Sequence, residues 1–246
     1  MNLWYGDCLE LMKKIPDKSI GMILCDLPYG STKCKWDIII PFEPLWEQYN
    51  RVIKDNGAIV LFGRDPFTSK LITSNLKGYK HKWIWNKKQS GSFHLAKYMP
   101  LQIQEDIIVF TAKGEKVNYY PIMRKGKTRK KGGAKPTEHF GNSLKQLEPH
   151  YSDEYYPVNI IEIANCKNKA KLLHPTQKPV PLLEYLLKTY SKEGEIILDN
   201  CMGSGSTGVA CINTNRDFIG IDRDKNNFNI AKNRLEEALN KASFLF

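Results

Sequence analysis

Short apolar segments alternate with stretches of helical spacing near both ends of the chain, and this alternation constrains the fold more than any other feature. The segments that predict β-strands are residues 2–5, 19–25, 58–62, 82–85, 106–111, 196–198 and 218–221. Helical spacing or helix-start signals occur in residues 8–14, 42–53, 67–76, 181–190, 207–214 and 226–240. Strands that are apolar at nearly every position are buried on both faces. The pattern therefore predicts an α/β fold with helices on both faces of the sheet.

The positive charge of the chain is concentrated in its middle. The whole chain carries a formal charge of +11, and residues 111–150 contain ten Lys or Arg against three Glu. Residues 124–131 show neither a helical nor an alternating apolar period, which predicts a loop. This loop is either a solvated surface segment or a contact to nucleic-acid phosphates, which attract clustered cations. The candidates for phosphate contact are Arg124, Lys125, Lys127, Arg129, Lys130 and Lys131.

A glycine-rich turn connects a predicted strand to a predicted helix in the last part of the sequence. Residues 196–208 are Ile-Ile-Leu-Asp-Asn-Cys-Met-Gly-Ser-Gly-Ser-Thr-Gly. Glycine permits a tight turn, and the amides at a helix start favour a negatively charged group. Asp199 ends the strand, and Asp222 follows Gly203 by 19 residues at the end of the next strand, a position suited to binding ribose hydroxyls. The segment predicts a nucleotide site.

Other interpretations of these glycines stay open. Gly203 to Gly208 spell the G-x-G-x-x-G fingerprint, so a nicotinamide-dependent dehydrogenase is an alternative. Against it, residues 199–202 separate the strand from the first glycine, and only 38 residues follow Gly208. A Walker A loop fails, because Pro121 stands where that motif requires its first glycine. A strand–helix turn with a purely structural role is the remaining alternative.

A second motif follows another apolar strand. Asp26-Leu27-Pro28-Tyr29 comes after residues 19–25, at the carboxyl edge where open α/β sheets bind ligands. An exocyclic amine on a nucleobase is a poor nucleophile, because its lone pair is delocalised into the ring. The Asp26 carboxylate and a main-chain carbonyl of Leu27 or Pro28 can each accept an N–H, while Tyr29 can stack on an extruded base. The simpler alternative is a strand end at which Asp26 caps a turn.

Taken together, the two motifs resemble the β class of DNA amino-methyltransferases, which use S-adenosylmethionine to methylate adenine N6 or cytosine N4. Asp26-Leu27-Pro28-Tyr29 resembles the D-P-P-Y catalytic motif, although Leu27 replaces its first proline. His174-Pro175-Thr176-Gln177-Lys178-Pro179 resembles the H-P-T-Q-K-P segment of the family. Residues 6–9, 199–207 and 218–222 resemble the opening segment, the cofactor loop and the ribose-binding strand end, with Asn200-Cys201 in place of Pro-Phe.

This resemblance implies a Rossmann-like, circularly permuted sheet whose cofactor strand, residues 196–198, lies beside its catalytic strand, residues 19–25. It divides the chain into a catalytic half at 1–111, a basic target-recognition insertion at 112–170 and a cofactor-binding half at 171–246. It also places Asp7 near the cofactor's adenine, and Thr176 and Lys178 at the methionine carboxylate. The full set implied to bind S-adenosylmethionine is Asp7, Cys8, Thr176, Gln177, Lys178, Asp199, Gly203, Ser204, Gly205, Thr207 and Asp222.

The expected activity is site-specific methylation of adenine N6 in double-stranded DNA. Asp26 at the first motif position resembles the N6 enzymes, whereas serine there resembles the N4 enzymes. Cytosine-N4 methylation and a non-catalytic DNA-binding protein on the same scaffold remain alternatives. Methylation of cytosine C5 is not expected, since the chain lacks the Pro-Cys pair of those enzymes.

Composition adds expectations about location and partners. The six cysteines form no C-x-x-C pair, which favours reduced cytosolic thiols over a disulfide framework or a metal site. The first residues lack the basic and apolar regions of a secretory signal, and the apolar runs are too short to span a bilayer. We therefore expect a cytoplasmic enzyme. The resemblance adds a homodimer and a place in restriction–modification, although no residue pattern identifies a restriction partner.

Overall fold

A computed structural model describes residues 1–32, 34, 37–90, 93–132, 148–165 and 177–243. The chain forms two compact units. The larger unit contains Met1–Tyr120 and Asn159–Phe246, and the smaller contains Pro121–Val158. The smaller unit lies inside the predicted insertion 112–170, and Thr176 falls outside the described residues.

The regular elements alternate as the sequence predicts. The strands are β1 (Asn2–Tyr5), β2 (Ile20–Cys25), β3 (Ile53–Gly63), β4 (Tyr79–Asn86), β5 (Gln104–Phe110), β6 (Arg124–Lys131), β7 (His150–Tyr155), β8 (Ile160–Glu162), β9 (Ile196–Asp199) and β10 (Asp217–Asp222). The helices are α1 (Cys8–Met12), α2 (Phe42–Val52), α3 (Phe67–Ser74), α4 (Val180–Tyr190), α5 (Ser206–Asn213) and α6 (Lys225–Ser243), and short 3₁₀ turns occupy Phe93–Leu95 and Ala112–Gly114.

The larger unit is built on one eight-stranded sheet with the order β1-β10-β9-β2-β3-β5-β4-β8. The first five strands in this order are parallel, and only the pairings of β5 with β3 and with β4 are antiparallel. Met22 pairs with Ile197 and Ile23 with Leu198, so the cofactor strand lies beside the catalytic strand. The predicted α/β fold and its permuted strand order are confirmed.

Alternate residues of β2 face two separate hydrophobic layers. Ile23 and Cys25 belong to a core built with α1, α2 and α3. Met22 and Leu24 belong to a second core built with α4, α5 and α6. Burial of both strand faces explains why residues 20–25 are apolar throughout and show no alternation.

The structure corrects the sequence prediction for strands β3 and β6, among others. Strand β3 begins at Ile53, five residues before the predicted start at 58, because the chain passes directly from α2 into the sheet. Residues 124–131, predicted as a loop, form β6, which pairs in antiparallel fashion with β7. All of β6 is exposed except the partly buried Lys131. A two-stranded ribbon with no buried face needs no apolar alternation, which is the signal on which the prediction depended.

Of the helices in the described ranges, none combines the length and apolar character that a membrane crossing requires. Within the same ranges, no three His, Cys, Asp or Glu side chains are grouped so that they could hold a metal ion.

Candidate active site

A cavity of about 480 Å³ lies at the carboxyl ends of β1, β2, β9 and β10. This is the edge at which open α/β sheets bind ligands. The cavity brings the two sequence motifs together, since residues from the glycine turn and from 26–29 line it jointly. The predicted site residues in its lining are Asp7, Cys8, Asp26, Leu27, Pro28, Tyr29, Gln177, Lys178, Asp199, Gly203, Ser204, Thr207 and Asp222.

The glycine turn is held by backbone hydrogen bonds to a carboxylate. The Gly203 amide donates to Asp222 Oδ2 at 2.9 Å, and the Asp224 amide donates to Oδ1 at 2.8 Å. Gly203 has φ +51° and Gly205 has φ +74°, values in the left-handed region that glycine adopts without strain. A Cβ on Gly205 would lie 3.1 Å from the Ala231 Cβ. The turn therefore needs glycine at 205 both for its backbone angle and for its packing.

Asp199 organises the same turn from the end of β9. Its Oδ1 accepts the Cys201 amide at 3.2 Å, and the Thr207 side chain also hydrogen-bonds to it. Burial raises the pKa of Asp199 to about 6, although these hydrogen bonds act in the opposite direction. Because burial disfavours the ionised carboxylate, Asp199 contributes geometry at the expense of stability.

Arg234 of α6 supports the turn from outside the motif. Its Nη1 donates to the Ser204 carbonyl at 3.0 Å and to Ser206 Oγ at 2.9 Å. Arg234 is not predicted from the sequence, because nothing in the spacing of α6 distinguishes it from a solvent-exposed helix arginine. Its contact with the turn depends on the packing of α6 against α5.

Asp7 and Cys8 enter the cavity from the opening segment. Asp7 is the N-cap of α1, and its Oδ1 accepts the Leu9 amide at 2.9 Å and the Glu10 amide at 3.3 Å. The Gly6 amide donates to the Asp222 carbonyl at 3.0 Å, which joins this segment to the end of β10. Asp7 therefore caps a helix in addition to lining the cavity.

The catalytic motif presents a carboxylate with two donors already in place. Asp26 Oδ1 accepts the Tyr29 hydroxyl at 2.7 Å, and Oδ2 contacts Lys178 Nζ at 2.6 Å. The Tyr29 ring stacks on Phe67 with a centroid distance of 4.8 Å. Burial, together with the neighbouring Asp26, raises the pKa of Tyr29 well above its usual value, so its hydroxyl stays a donor. Lys178, which the resemblance places at the cofactor's methionine end, thus also reaches the catalytic carboxylate.

Two further charged residues, which the sequence analysis missed, complete this end of the cavity. Glu105 Oε2 lies 3.2 Å from Lys178 Nζ, and Glu105 Oε1 lies 3.0 Å from Lys87 Nζ. Both Glu105 and Lys87 line the cavity. The available signal was the pair of carboxylates Glu105-Asp106 before the apolar run 107–110, but sequence alone does not show that β5 runs antiparallel and brings its first residues to the catalytic edge.

Asp37 fixes the chain just after the catalytic motif. Its carboxylate accepts the amides of Gly30, Ser31 and Thr32 at 2.8, 2.9 and 2.7 Å. Burial favours a higher pKa for Asp37, but these bonds outweigh it, so its pKa lies below the usual value. Three donated amides hold residues 30–32 beside the cavity, which Ser31 and Thr32 help to line.

The cavity has the donors and acceptors that S-adenosylmethionine requires. Gln177 Oε1 is buried without a hydrogen-bond partner among the described residues, and the residue lines the cavity, where an ammonium group could donate to it. Asp222 offers a carboxylate beside the Gly203 turn for a ribose diol. The residues present therefore fit the cofactor that the sequence motifs imply.

The basic strand β6 belongs to the smaller unit and has its own charge pattern. Lys125 is paired with Asp153 at 3.3 Å and with Glu154 at 3.2 Å. Within the described ranges, no ion pair involves the exposed side chains of Lys127, Arg129 or Lys130. The ribbon thus presents cations whose charge is only partly neutralised.

Known DNA methyltransferases are similar to this chain along most of its length. Residues 20–233 match the N6/N4 methyltransferase family model, which is described as DNA methylase. The chain is 28% identical to the Type II methyltransferase M.HpaI of Haemophilus parainfluenzae over 96% of this chain and 74% of that protein. It is also 28% identical to the DNA adenine methyltransferase YhdJ of Escherichia coli K12, over 95% of this chain and 82% of that protein.

Solved structures share the fold. The M1.HpyAVI–SAM complex superposes with a TM-score of 0.64 at 24% identity, covering 95% of this chain and 99% of that one. The cytosine-N4-specific PvuII DNA methyltransferase superposes with a TM-score of 0.62 at 14% identity, covering 98% and 91%. At these identities the likeness establishes the architecture.

Proposed function

The chain belongs to the N6/N4 DNA methylase family, and from that premise we propose that it transfers a methyl group from S-adenosylmethionine to adenine N6 within a specific DNA sequence. The observation that carries this proposal is the single cavity that Asp26–Tyr29 and the glycine turn line together. A methyl donor bound at the turn and an amine bound at Asp26 then share one cavity. Such proximity is the main requirement of a displacement reaction between two bound partners.

The chain's own residues divide the task of holding the cofactor. We assign Asp222 to the ribose hydroxyls, Gln177 and Lys178 to the methionine end, and Asp7 and Cys8 to the adenine; the support for this assignment is that all five line the cavity. When bound, S-adenosylmethionine supplies a methyl group on a sulfonium, an electrophilic carbon that needs no metal or covalent nucleophile. The protein therefore contributes alignment and exclusion of water.

Asp26 prepares the nucleophile. Its carboxylate accepts one N–H of the target amine, and a main-chain carbonyl of Leu27 or Pro28 accepts the other, so the nitrogen lone pair is turned away from conjugation with the ring. Tyr29, held by Phe67 and by its hydroxyl bond to Asp26, offers an aromatic surface for a base extruded from the duplex. The proton lost from nitrogen leaves on the Asp26 side.

Adenine is favoured over cytosine because aspartate stands at the first motif position and because one of the related proteins, YhdJ, is named a DNA adenine methyltransferase. Mass analysis of nucleosides from DNA treated with the protein tests this choice. We expect N6-methyladenine; a methyl group found only on cytosine N4 would overturn the base assignment.

Calorimetry with S-adenosylmethionine and with NAD tests which cofactor the protein binds. Binding of NAD and not of S-adenosylmethionine would favour the dehydrogenase alternative. Cofactor binding without any methylated nucleoside would favour the non-catalytic alternative.

The basic ribbon of the smaller unit, with the surrounding range 112–170, is the proposed DNA-recognition part of the chain. The support is the exposed cation-rich face of β6, with Arg124, Lys125, Lys127, Arg129, Lys130 and Lys131 as the phosphate contacts. Neutralising Arg129, Lys130 and Lys131 together removes three cations, and each phosphate contact contributes about 0.9 to the slope of log K against log salt. We expect weaker DNA binding and a slope reduced by about 2–3. An unchanged slope would show that the strand is only solvated.

Two further expectations, one from the family resemblance and one from the composition, remain part of the proposal. The first is a homodimer, which light scattering of the purified protein tests; a mass near 28.3 kDa, that of a single chain, would overturn it. The second is a cytoplasmic location, where the protein meets its DNA substrate, and cell fractionation tests it.

A further inference from the structure

Four alternating charges form a continuous chain beside the catalytic carboxylate. Asp26 contacts Lys178 at 2.6 Å, Lys178 contacts Glu105 at 3.2 Å, and Glu105 contacts Lys87 at 3.0 Å. The side chains of Lys178, Glu105 and Lys87 are 11%, 16% and 15% exposed, whereas that of Asp26 is 27% exposed. Of these four side chains, the most exposed is therefore that of Asp26, the carboxylate that receives the substrate.

The Lys178 ammonium is shared between two carboxylates from different strands. Asp26 follows β2 and Glu105 belongs to β5, and Lys178 Nζ also lies 4.9 Å from the Phe62 ring centroid. Burial acts to lower the pKa of Lys178, but Asp26 and then Glu105 outweigh it, so its pKa lies above the usual value and it stays charged. A buried cation of this kind needs at least one anionic partner at all times.

Resting on the proposed function, we infer that Glu105 is a positioning residue that shares Lys178 with Asp26 and so keeps the Asp26 carboxylate available to accept the N–H of the target amine. Without substrate, both oxygens of Asp26 are engaged, one by Tyr29 and one by Lys178. The amine must compete with these donors. Because Glu105 is a second anionic partner, Lys178 can loosen its contact with Asp26 without becoming an unpaired buried charge.

Removal of the Glu105 charge reverses this balance. In Glu105→Gln, Lys178 has Asp26 as its remaining carboxylate contact among the described residues, and Lys87 loses its own partner. The cluster then carries one excess positive charge, the Lys178–Asp26 pair tightens, and Asp26 becomes a poorer acceptor for the amine. The effect is expected on the methyl-transfer step and not on assembly of the complex.

The experiment measures single-turnover methyl transfer, together with calorimetric Kd values for S-adenosylmethionine and for a target oligonucleotide. We expect Glu105→Gln to slow transfer by about tenfold or more, a loss of at least about 1.4 kcal/mol, while both Kd values change by less than about threefold. Glu105→Asp keeps the charge but withdraws it from Lys178 by one methylene, so it is expected to slow transfer severalfold, less than Glu105→Gln does. The matched control is Asp55→Asn, which breaks the exposed Lys18–Asp55 pair of 2.5 Å, outside the proposed binding residues, and leaves all three quantities unchanged.

A double-mutant cycle tests whether Glu105 acts through Lys178. In a Lys178→Met background, the additional Glu105→Gln change is expected to alter the transfer rate by less than about twofold. Full additivity of the two changes, or a Glu105→Gln rate equal to that of wild type, would overturn the inference. So would parallel loss of rate and cofactor affinity, which would indicate a purely structural role.

The outcome separates this inference from the proposed function. If Glu105→Gln does not fold, the Glu105→Asp variant decides: a rate reduced severalfold at unchanged Kd supports the inference, and a rate equal to that of wild type overturns it. Wild-type protein that methylates no DNA overturns the proposed function and this inference with it. If the wild-type protein is active and Glu105→Gln transfers the methyl group at the same rate, only the inference about Glu105 is overturned.

Discussion

The glycine turn after β9 and the catalytic motif after β2 line one cavity, yet different forces shape them. In the turn, the decisive contacts involve backbone amides, such as the bond from Gly203 to Asp222, and backbone angles that only glycine adopts freely. At the catalytic motif, the decisive contacts are between side chains, from Tyr29 and Lys178 to Asp26. One end is fixed by main-chain shape and the other by balanced charge.

This difference explains which departures from the family motifs each end tolerates. Asn200-Cys201 replaces Pro-Phe in the turn, yet Asn200 accepts the Tyr49 hydroxyl at 2.5 Å and the backbone bonds stay in place. Leu27 replaces proline in the catalytic motif but leaves its carbonyl available and buries its side chain in the core. Neither replacement touches the feature on which its own end of the cavity depends.

The largest expected effect follows from removing the charge at the catalytic end. Asp26→Ala deletes the acceptor for the target amine, and we expect turnover to fall by roughly 10²–10⁴-fold or below detection. Cofactor affinity, which depends on the other end of the cavity, is expected to stay within a few fold. Turnover assays and calorimetry with S-adenosylmethionine measure the two quantities. Comparable loss of both would place Asp26 in the fold and remove the distinction between the ends.

A smaller effect is expected from adding a methyl group to the glycine turn, the end of the cavity whose shape depends on the backbone. Gly205→Ala combines a left-handed residue with a Cβ only 3.1–3.2 Å from Ala231 atoms. We expect a loss of about 3 kcal/mol in the free energy of unfolding and weaker cofactor binding. Gly203→Ala is the matched control, because its Cβ meets no atom within 4 Å and only its φ of +51° is unfavourable. Urea unfolding that ranks the two variants equally would contradict the role assigned to packing at 205.

The smallest expected effect concerns pH and the buried Asp199. Its folded-state pKa of about 6 lies above the ordinary 3.8, so the folded state binds the extra proton between these values. Stability must therefore fall as pH rises from about 4 to about 6, by about 2–3 kcal/mol from this group. Urea unfolding from pH 4 to pH 7.5 should show this fall in wild type. The Asp199→Asn variant should lack that part of the pH dependence, and identical pH profiles would refute the assignment.

The sequence predicted the two ends of the cavity to different extents. The turn was accessible, because its glycines, Asp199 and Asp222 are local signals with a characteristic spacing along the chain. Asp26 was equally accessible, since it follows an apolar strand that the structure confirms as β2. Strand β6 was missed because a ribbon with two exposed faces has no apolar period.

The charge chain from Asp26 to Lys87 could not have been predicted from spacing. Asp26, Glu105 and Lys178 are 79 and 73 residues apart in sequence, and they meet only because β5 runs antiparallel and starts at the catalytic edge. The direction of a strand is decided by tertiary packing, which the apolar pattern of 107–110 does not encode. Arg234 was hidden for the same reason, since its partner Ser204 is reached only through helix packing.

The strand order also affects how the protein forms during its synthesis. Strands β9 and β10 come late in the chain but lie between β1 and β2, which come first. While the ribosome is still making the middle of the polypeptide, β1 lacks its neighbour β10 and β2 lacks its neighbour β9. The facing edges of β1 and β2 therefore stay unpaired. Closure waits for the last quarter of the chain, so a product truncated before β9 would lack both strands that join β1 to β2, and not merely the residues that bind its cofactor.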